Sequence, residues 1–242
     1  MVKAQIKSKQ RVEQHGEVLT GEREVNAMLD LVKQETERIE SRFLEPACGT
    51  GNFLVEILRR KLSLVDSRYR RSQLEWERNA VLAVSSVYGI ELLDDNAQTC
   101  RERLFHIFDT MYTRRYKDKA RDQCRDSARY LLDRNIIRGD ALSLQTVGPD
   151  PQPIVFSEWS PLNGSLLKRR DFAFHELLPE PPKIAPNPLG SIQQSLFGEV
   201  QGSLFEHNQN ALVSDTGQSV FIAEPVRDYP LVHFLEVANA YD

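Results

Sequence analysis

Apolar residues recur along the chain in two rhythms. Between Glu22 and Glu40, Val25, Met28, Leu29, Val32 and Ile39 fall at steps of three and four, the spacing of one buried helical face. A short apolar run at Phe43 and Leu44 stops at Pro46 and a pair of glycines. Phe53, Leu54, Ile57, Leu58 and Leu62 then resume the helical step. The pattern predicts strand, glycine turn, helix. Further on it predicts a helix across Leu74 to Val84, a buried strand in SVYGIEL that closes on an acidic residue, and a helix from Asp94 to Phe108. The charged stretch 114–134 carries a thin stripe of Ala120, Cys124, Ala128, Leu131 and Leu132, which predicts a surface helix packed on one side. NIIRGDAL and PIVFSEW supply a third and a fourth strand. Strands alternating with helices at this spacing predict an α/β domain, a mainly parallel sheet with helices on both faces.

Length and composition bound this picture. The chain has 242 residues, 40% hydrophobic and 27% charged, enough for one sizeable core and short for two full domains. The expected division is a mobile basic arm at 1–15, a main domain at 16–178, a linker or tail rich in Pro, Gly and Gln at 179–219, and a C-terminal segment at 220–242 that packs back on the domain. A net charge of −4 gives no overall basic field, so any nucleic-acid contact must come from a local patch. Cys48, Cys100 and Cys124 have neither CxxC spacing nor a companion histidine cluster, which argues against a zinc site and a disulfide framework, and no metal is expected. With no leader and no run of about 18 apolar residues, a soluble cytoplasmic protein without a membrane is expected.

In a parallel sheet the ligand crevice lies outside the carboxyl ends of the strands. Three predicted strand ends carry chemistry there: Glu45 with the PACGTG turn, Glu91, and Gly139 with Asp140. Gly49 and Gly51 permit positive φ and close backbone approach, and the helix starting near Asn52 aims unpaired amides at an anionic group. A carboxylate at Glu91 suits the two hydroxyls of a ribose, and Asp140 an exocyclic amine. Taken singly, such glycines more often only turn the chain and such acids cap helices; the set in this order points to a nucleoside with a charged tail.

The block EPACGTGNFL closely resembles the first cofactor motif of S-adenosylmethionine-dependent DNA adenine N6-methyltransferases. HGEVLTGEREVNAMLDLV is similar to the motif that closes over the methionine part of the cofactor, YGIEL to the ribose-binding motif, and GDAL to the adenine-contacting one. Their order resembles type I modification subunits. The resemblance implies a Rossmann-like class I methyltransferase fold. It implies S-adenosylmethionine held by Glu45, Ala47, Gly49, Gly51, Glu91, Asp140 and Ala141, with Thr20 from the lid, and DNA as partner. Gly21 stands where the family has proline, which loosens the lid turn.

The family's Asn/Asp-Pro-Pro-Tyr/Phe motif, which accepts the target amine and stacks on a flipped base, is absent. IVFSEWSP occupies its place. Two readings stand: Ser157 or Glu158 replaces the amine acceptor while Trp159 stacks on the base, or the acceptor site is gone and the fold binds DNA or a partner without transfer. Trp159 serves equally as a core aromatic at a strand end. Lys168, Arg169 and Arg170, near Phe172 and Phe174, suit phosphate contact and base stacking, or a solvated turn. A target-recognition domain is not evident, so specificity would come from a specificity subunit or from residues 160–242. In the tail, QQSLFGEV is echoed by QGSLFEHN. Gln193, Leu196 and Phe197, and again Gln201, Leu204 and Phe205, resemble the peptide that binds a bacterial sliding clamp, or staple the tail onto its own domain.

Overall fold

The structure is a computed structural model that describes residues 11, 13, 19–162, 164–178, 212–213, 219–220 and 223–240. The segments assigned above to the mobile arm, most of the linker and the clamp-like peptides at Gln193, Leu196, Phe197, Gln201, Leu204 and Phe205 lie outside the described residues.

The first helical stretch divides at Val32 into α1 (Glu22–Leu31) and α2 (Lys33–Thr36), with Val25 and Leu29 buried and Met28 and Val32 left at the surface. Strand β1 (Phe43–Glu45) leads through the glycine turn into α3 (Asn52–Tyr69), and α4 (Gln73–Ser85) returns to β2 (Val87–Glu91). α5 (Asp94–Tyr116) and α6 (Asp122–Asn135) repeat the excursion and return to β3 (Ile136–Asp140). The helix expected over 114–134 thus splits, its first three residues completing α5 and the next five forming a turn. Strands β1, β2 and β3 lie side by side and parallel, with Glu45 opposite Gly89 and Glu91 opposite Arg138. The two-residue β4 (Gln145–Thr146) adds antiparallel to β3.

Among the described residues the parallel sheet has helices on one face only. Pleating divides its side chains: Val87 and Ile136 enter the core made by α3 to α6, while Tyr88, Ile90 and Ile137 point to the opposite side. Among the described residues that opposite side is covered by a hairpin of β5 (Val155–Leu162) and β6 (Leu166–Ala173), through Ile154, Phe156 and Phe174. The expected fourth parallel strand is therefore the first arm of this antiparallel hairpin, and LLKRRDFA is the second. A parallel return needs a crossover of about a dozen residues or more, usually a helix. Residues 141–154 are instead spent on turns and β4, so the chain doubles back over the sheet. β9 (Arg227–Asp228) and β10 (Val232–His233), which follow β7 (Leu212–Val213) and β8 (Ser219–Val220), pair with β6, and Phe234 and Val237 are buried beside it.

At β1 the sheet ends. The Phe43 amide donates to the Ser86 carbonyl, so by alternation the Leu44 amide and carbonyl point away from β2, where no described strand lies.

Candidate functional site

Because β1, β2 and β3 are parallel, their carboxyl ends share one rim, and the three acidic positions Glu45, Glu91 and Asp140 are brought to it. The turn after β1 needs its glycines. Gly49 has φ +53° and Gly51 φ +83°, both in the left-handed region that a side chain disfavours. Gly51 is also pressed from behind: a Cβ there would lie 2.5 Å from Cys100 Sγ of α5. Gly89 lets β2 pass the other thiol, since its Cβ would meet Cys48 Sγ at 2.9 Å. A hydrogen bond with Cys100 and burial push the Cys48 thiol far up, so Cys48 is inert packing under the turn, and Cys100 is buried beside it.

Glu91 is buried at 8% exposure and its carboxylate is the hub of the rim. One oxygen accepts the Gly49 amide at 2.8 Å; the other accepts the Leu93 amide at 3.0 Å and the Asn96 side chain at 3.3 Å. Two backbone donors and a side-chain amide fix it in place. The Gly49 amide is thus tied to β2, and the carboxyl group keeps lone-pair capacity for a hydroxyl. Burial pushes the Glu45 carboxyl up, against an opposing hydrogen bond from the Ala47 amide. Asp140 is half-buried, and bonds from the Leu142 amide and from Ser143 hold its carboxyl below the ordinary range. It closes its own turn, with Ala141 partly buried beside it.

The rim has supports that the sequence pattern did not reveal. Leu19 lies over Gly49, 3.4 Å from where a Cβ would stand, and Asn52 Nδ2 donates to the Thr20 carbonyl at 2.8 Å, which fixes the segment before α1 against the start of α3. Arg103 from α5 clamps the turn through the Thr50 carbonyl at 2.5 Å and Asn52 Oδ1 at 2.8 Å. Arg11 pairs with Asp95 at 2.8 Å. Leu93 and Asn96 could have been suspected from lying within five residues of Glu91; Arg103 left no signal in a helix that carries several arginines.

The acceptor-side assignments are corrected. β5 runs away from the rim: Ile154 packs at Gly139, near the carboxyl end of β3, but the Ser157 carbonyl accepts the Tyr88 hydroxyl at 2.9 Å. Glu91 lies three residues, about 10 Å, further along β2 than Tyr88. Glu158 is ion-paired with Arg42, just before β1, and with Arg170 at 2.8 Å. Ser157 Oγ is spent on Asp171 at 2.7 Å, and Trp159 is buried at 3% exposure beside Tyr130 of α6. These three residues sit at the amino edge of the sheet, away from the rim. Nor do the basic residues form one exposed patch, because a strand alternates its side chains. Arg169 turns inward to Asp171, with bonds of 2.9 and 2.8 Å, while Lys168 pairs with Asp228 and Arg170 with Glu158.

A mixed α/β domain whose parallel strands deliver a glycine turn and acidic side chains to one rim is compatible with a methyltransferase. Comparison with known families narrows the class. Residues 19–147 match the family model described as MmeI, DNA-methyltransferase domain, a little over half of the 242 residues, and the chain belongs to that family. Neither the curated proteins nor the solved structures contain a match. A DNA-methyltransferase domain implies a methyl donor and DNA as its substrate. The match ends between β4 and β5, so it takes in every rim residue named above except Arg11 and stops before the hairpin that holds Ser157, Glu158 and Trp159.

Proposed function

We propose that the rim binds S-adenosylmethionine and that the protein belongs to a restriction–modification system whose methyl acceptor is the N6 amine of DNA adenine. The observation that carries this reading is the left-handed glycine turn tied to Glu91 through the Gly49 amide. The residues fit the cofactor: the turn presents backbone and no Cβ at its glycines, α3 begins there with its positive dipole end, and the fixed Glu91 carboxyl group offers acceptor oxygens to a ribose diol. Glu45, Ala47 and Asp140 with Ala141 would flank it, and Thr20 would close from above. The cofactor supplies a sulfonium methyl for direct transfer, and the chain's own contribution is to hold and orient. A class I methyltransferase fold with a domain at 16–178 follows from this reading.

A second reading is favoured by the placement of Ser157, Glu158 and Trp159 at the wrong edge: the described residues bind cofactor without offering an amine acceptor. Calorimetry with S-adenosylmethionine, paired with a tritiated-methyl assay on unmethylated duplex DNA and nucleoside analysis of the product, separates the two. The first reading expects saturable cofactor binding and labelled N6-methyladenine. Cofactor binding without label in any DNA establishes the second, label in cytosine overturns the adenine assignment, and an absence of cofactor affinity sinks both.

A further inference from the structure

The helices outrun the sheet. β2 has five residues, about 16 Å, whereas α3 has 18, about 27 Å, and α5 has 23, about 35 Å. Both start at the rim, so their far ends stand beyond the amino edge of the sheet, and α4 and α6 return from there. The main core continues into the projecting part, where Trp76 stacks on Tyr112 at 5.4 Å and meets Tyr116 edge-on at 5.5 Å. Two turns form its tip, and they are tied together. Arg115 Nη2 donates to the Arg70 carbonyl at 2.7 Å, and Gln73 Nε2 donates to the Lys119 carbonyl at 2.8 Å.

This tip is strongly cationic. Residues 68–71 carry three positive charges and no acid, and residues 114–121 carry five against one, so these twelve positions hold a net charge of plus seven in a chain of net charge −4. Arg68, Arg70, Arg71, Arg114, Lys117 and Lys119 are all exposed, and among the described residues no hydrogen bond or ion pair engages their side chains. Elsewhere most of the described arginines are committed, among them Arg60 to Asp30, Arg125 to Asp109 and Arg169 to Asp171. Cations in a last helical turn complement the helix dipole, which accounts for Arg68 and Arg114. It does not account for Arg70, Arg71, Lys117 and Lys119, which lie beyond the helix ends. A hollow of about 370 Å³ opens between the turns, walled by Arg70, Arg114, Arg115 and Tyr116, with Asp66 neutralised by Arg115 at 3.0 Å.

We infer that this helical tip is a second docking surface, for the phosphate backbone of duplex DNA, at the pole of the protein opposite the cofactor rim. The inference rests on the reading of the protein as a DNA methyltransferase, which supplies the polyanion; the unpaired cations supply the complementary field, and several phosphates can be met at once by side chains on two adjoining turns. Such contacts carry no base readout. They set affinity and hold the protein on DNA while the rim acts.

The test is anisotropy of a labelled unmethylated duplex with the full chain, across a salt series. The triple variant Arg70→Glu, Arg114→Glu and Lys117→Glu is compared with a control of equal charge change, Arg23→Glu, Arg38→Glu and Arg78→Glu. If three phosphate contacts are lost, the slope of log affinity against log salt falls in magnitude by about 2.7 in the tip variant, with a loss of at least about tenfold near 0.1 M salt. The control keeps most of the slope, and calorimetry with S-adenosylmethionine, unchanged in the tip variant, shows an intact rim. Equal losses in both triples, or a tip variant that binds like the parent, overturn the tip surface and leave the DNA-methyltransferase reading standing. A parent that binds no duplex overturns both. Tip-dependent binding to phosphatidylglycerol vesicles without binding to duplex also refutes the assignment.

Discussion

Replacing Gly51 by alanine tests the architecture of the rim from two independent directions. At φ +83° a residue with a Cβ costs about 1–2 kcal/mol in backbone strain. The new methyl also lies 2.5 Å from Cys100 Sγ in a site where the thiol is fully buried, and overpacking of this kind costs about 1–3 kcal/mol. Gly51→Ala is therefore expected to lose about 2–5 kcal/mol. Cys100→Ala removes the clashing sulfur and leaves the Cys100 Cβ at 3.4 Å, a contact that small shifts relieve. In the double variant only the backbone part and the small cavity of the lost thiol remain, so the two substitutions couple favourably by about 1–3 kcal/mol. Gly49→Ala, whose Cβ would meet only Leu19 Cδ2 at 3.4 Å, carries the backbone cost without the clash and shows no coupling to Cys100. Urea unfolding of the four proteins with constant m-value measures the cycle. Additive losses for Gly51→Ala and Cys100→Ala would refute the claim that the turn is wedged against α5.

Glu91→Gln turns one acceptor oxygen into a donor facing the amides it now receives; a loss of about 1–3 kcal/mol by urea unfolding and a drop of about tenfold or more in S-adenosylmethionine affinity are expected, and unchanged affinity would remove Glu91 from the ribose role. Asp171→Ala leaves the guanidinium of Arg169, 3% exposed, without its carboxylate and is expected to cost about 3–5 kcal/mol, whereas Arg169→Met with Asp171→Leu recovers most of that loss; equal damage from both would show that packing and not charge holds the hairpin. Lys61 is fully buried, donating to the Ile39 carbonyl at 3.2 Å, to the Ser41 carbonyl and to Ser86 Oγ at 2.5 Å, and burial pulls its ammonium down to about 7. Between about pH 7 and the ordinary lysine value the folded state binds fewer protons than the unfolded, so stability rises with pH there, by up to about 1.4 kcal/mol per unit. Denaturation curves at pH 7 and 9 check the sign, and Lys61→Met should flatten this dependence; the same slope in both proteins would assign it to other groups.

Hydrophobic spacing was enough to place α3, α4, β1, β2 and β3, because each buries one face locally and its period survives in any context. The convergence of Glu45, Glu91 and Asp140 on one rim was legible too, since parallel strands joined by helices leave no other edge for their carboxyl ends. The fourth strand was not. PIVFSEW reads alike as a parallel core strand or a hairpin arm, and only the pairing of Phe156 with Phe172 and of Glu158 with Arg170 decided between them. That choice moved Ser157, Glu158 and Trp159 about a strand length from the rim and buried Arg169. It also left the outer edge of β1 without a described partner.

The glycine turn and the acids after each strand were determined by sequence alone, because φ freedom and carboxylate chemistry belong to single residues. What held them was decided by tertiary contact: Cys100 behind Gly51, Arg103 on Thr50, Asn96 on Glu91 and two distant turns joined into one cationic tip. Pairing between strands and the meeting of remote helices depend on chain reversals whose direction no local period encodes, and there the tertiary structure had the deciding part.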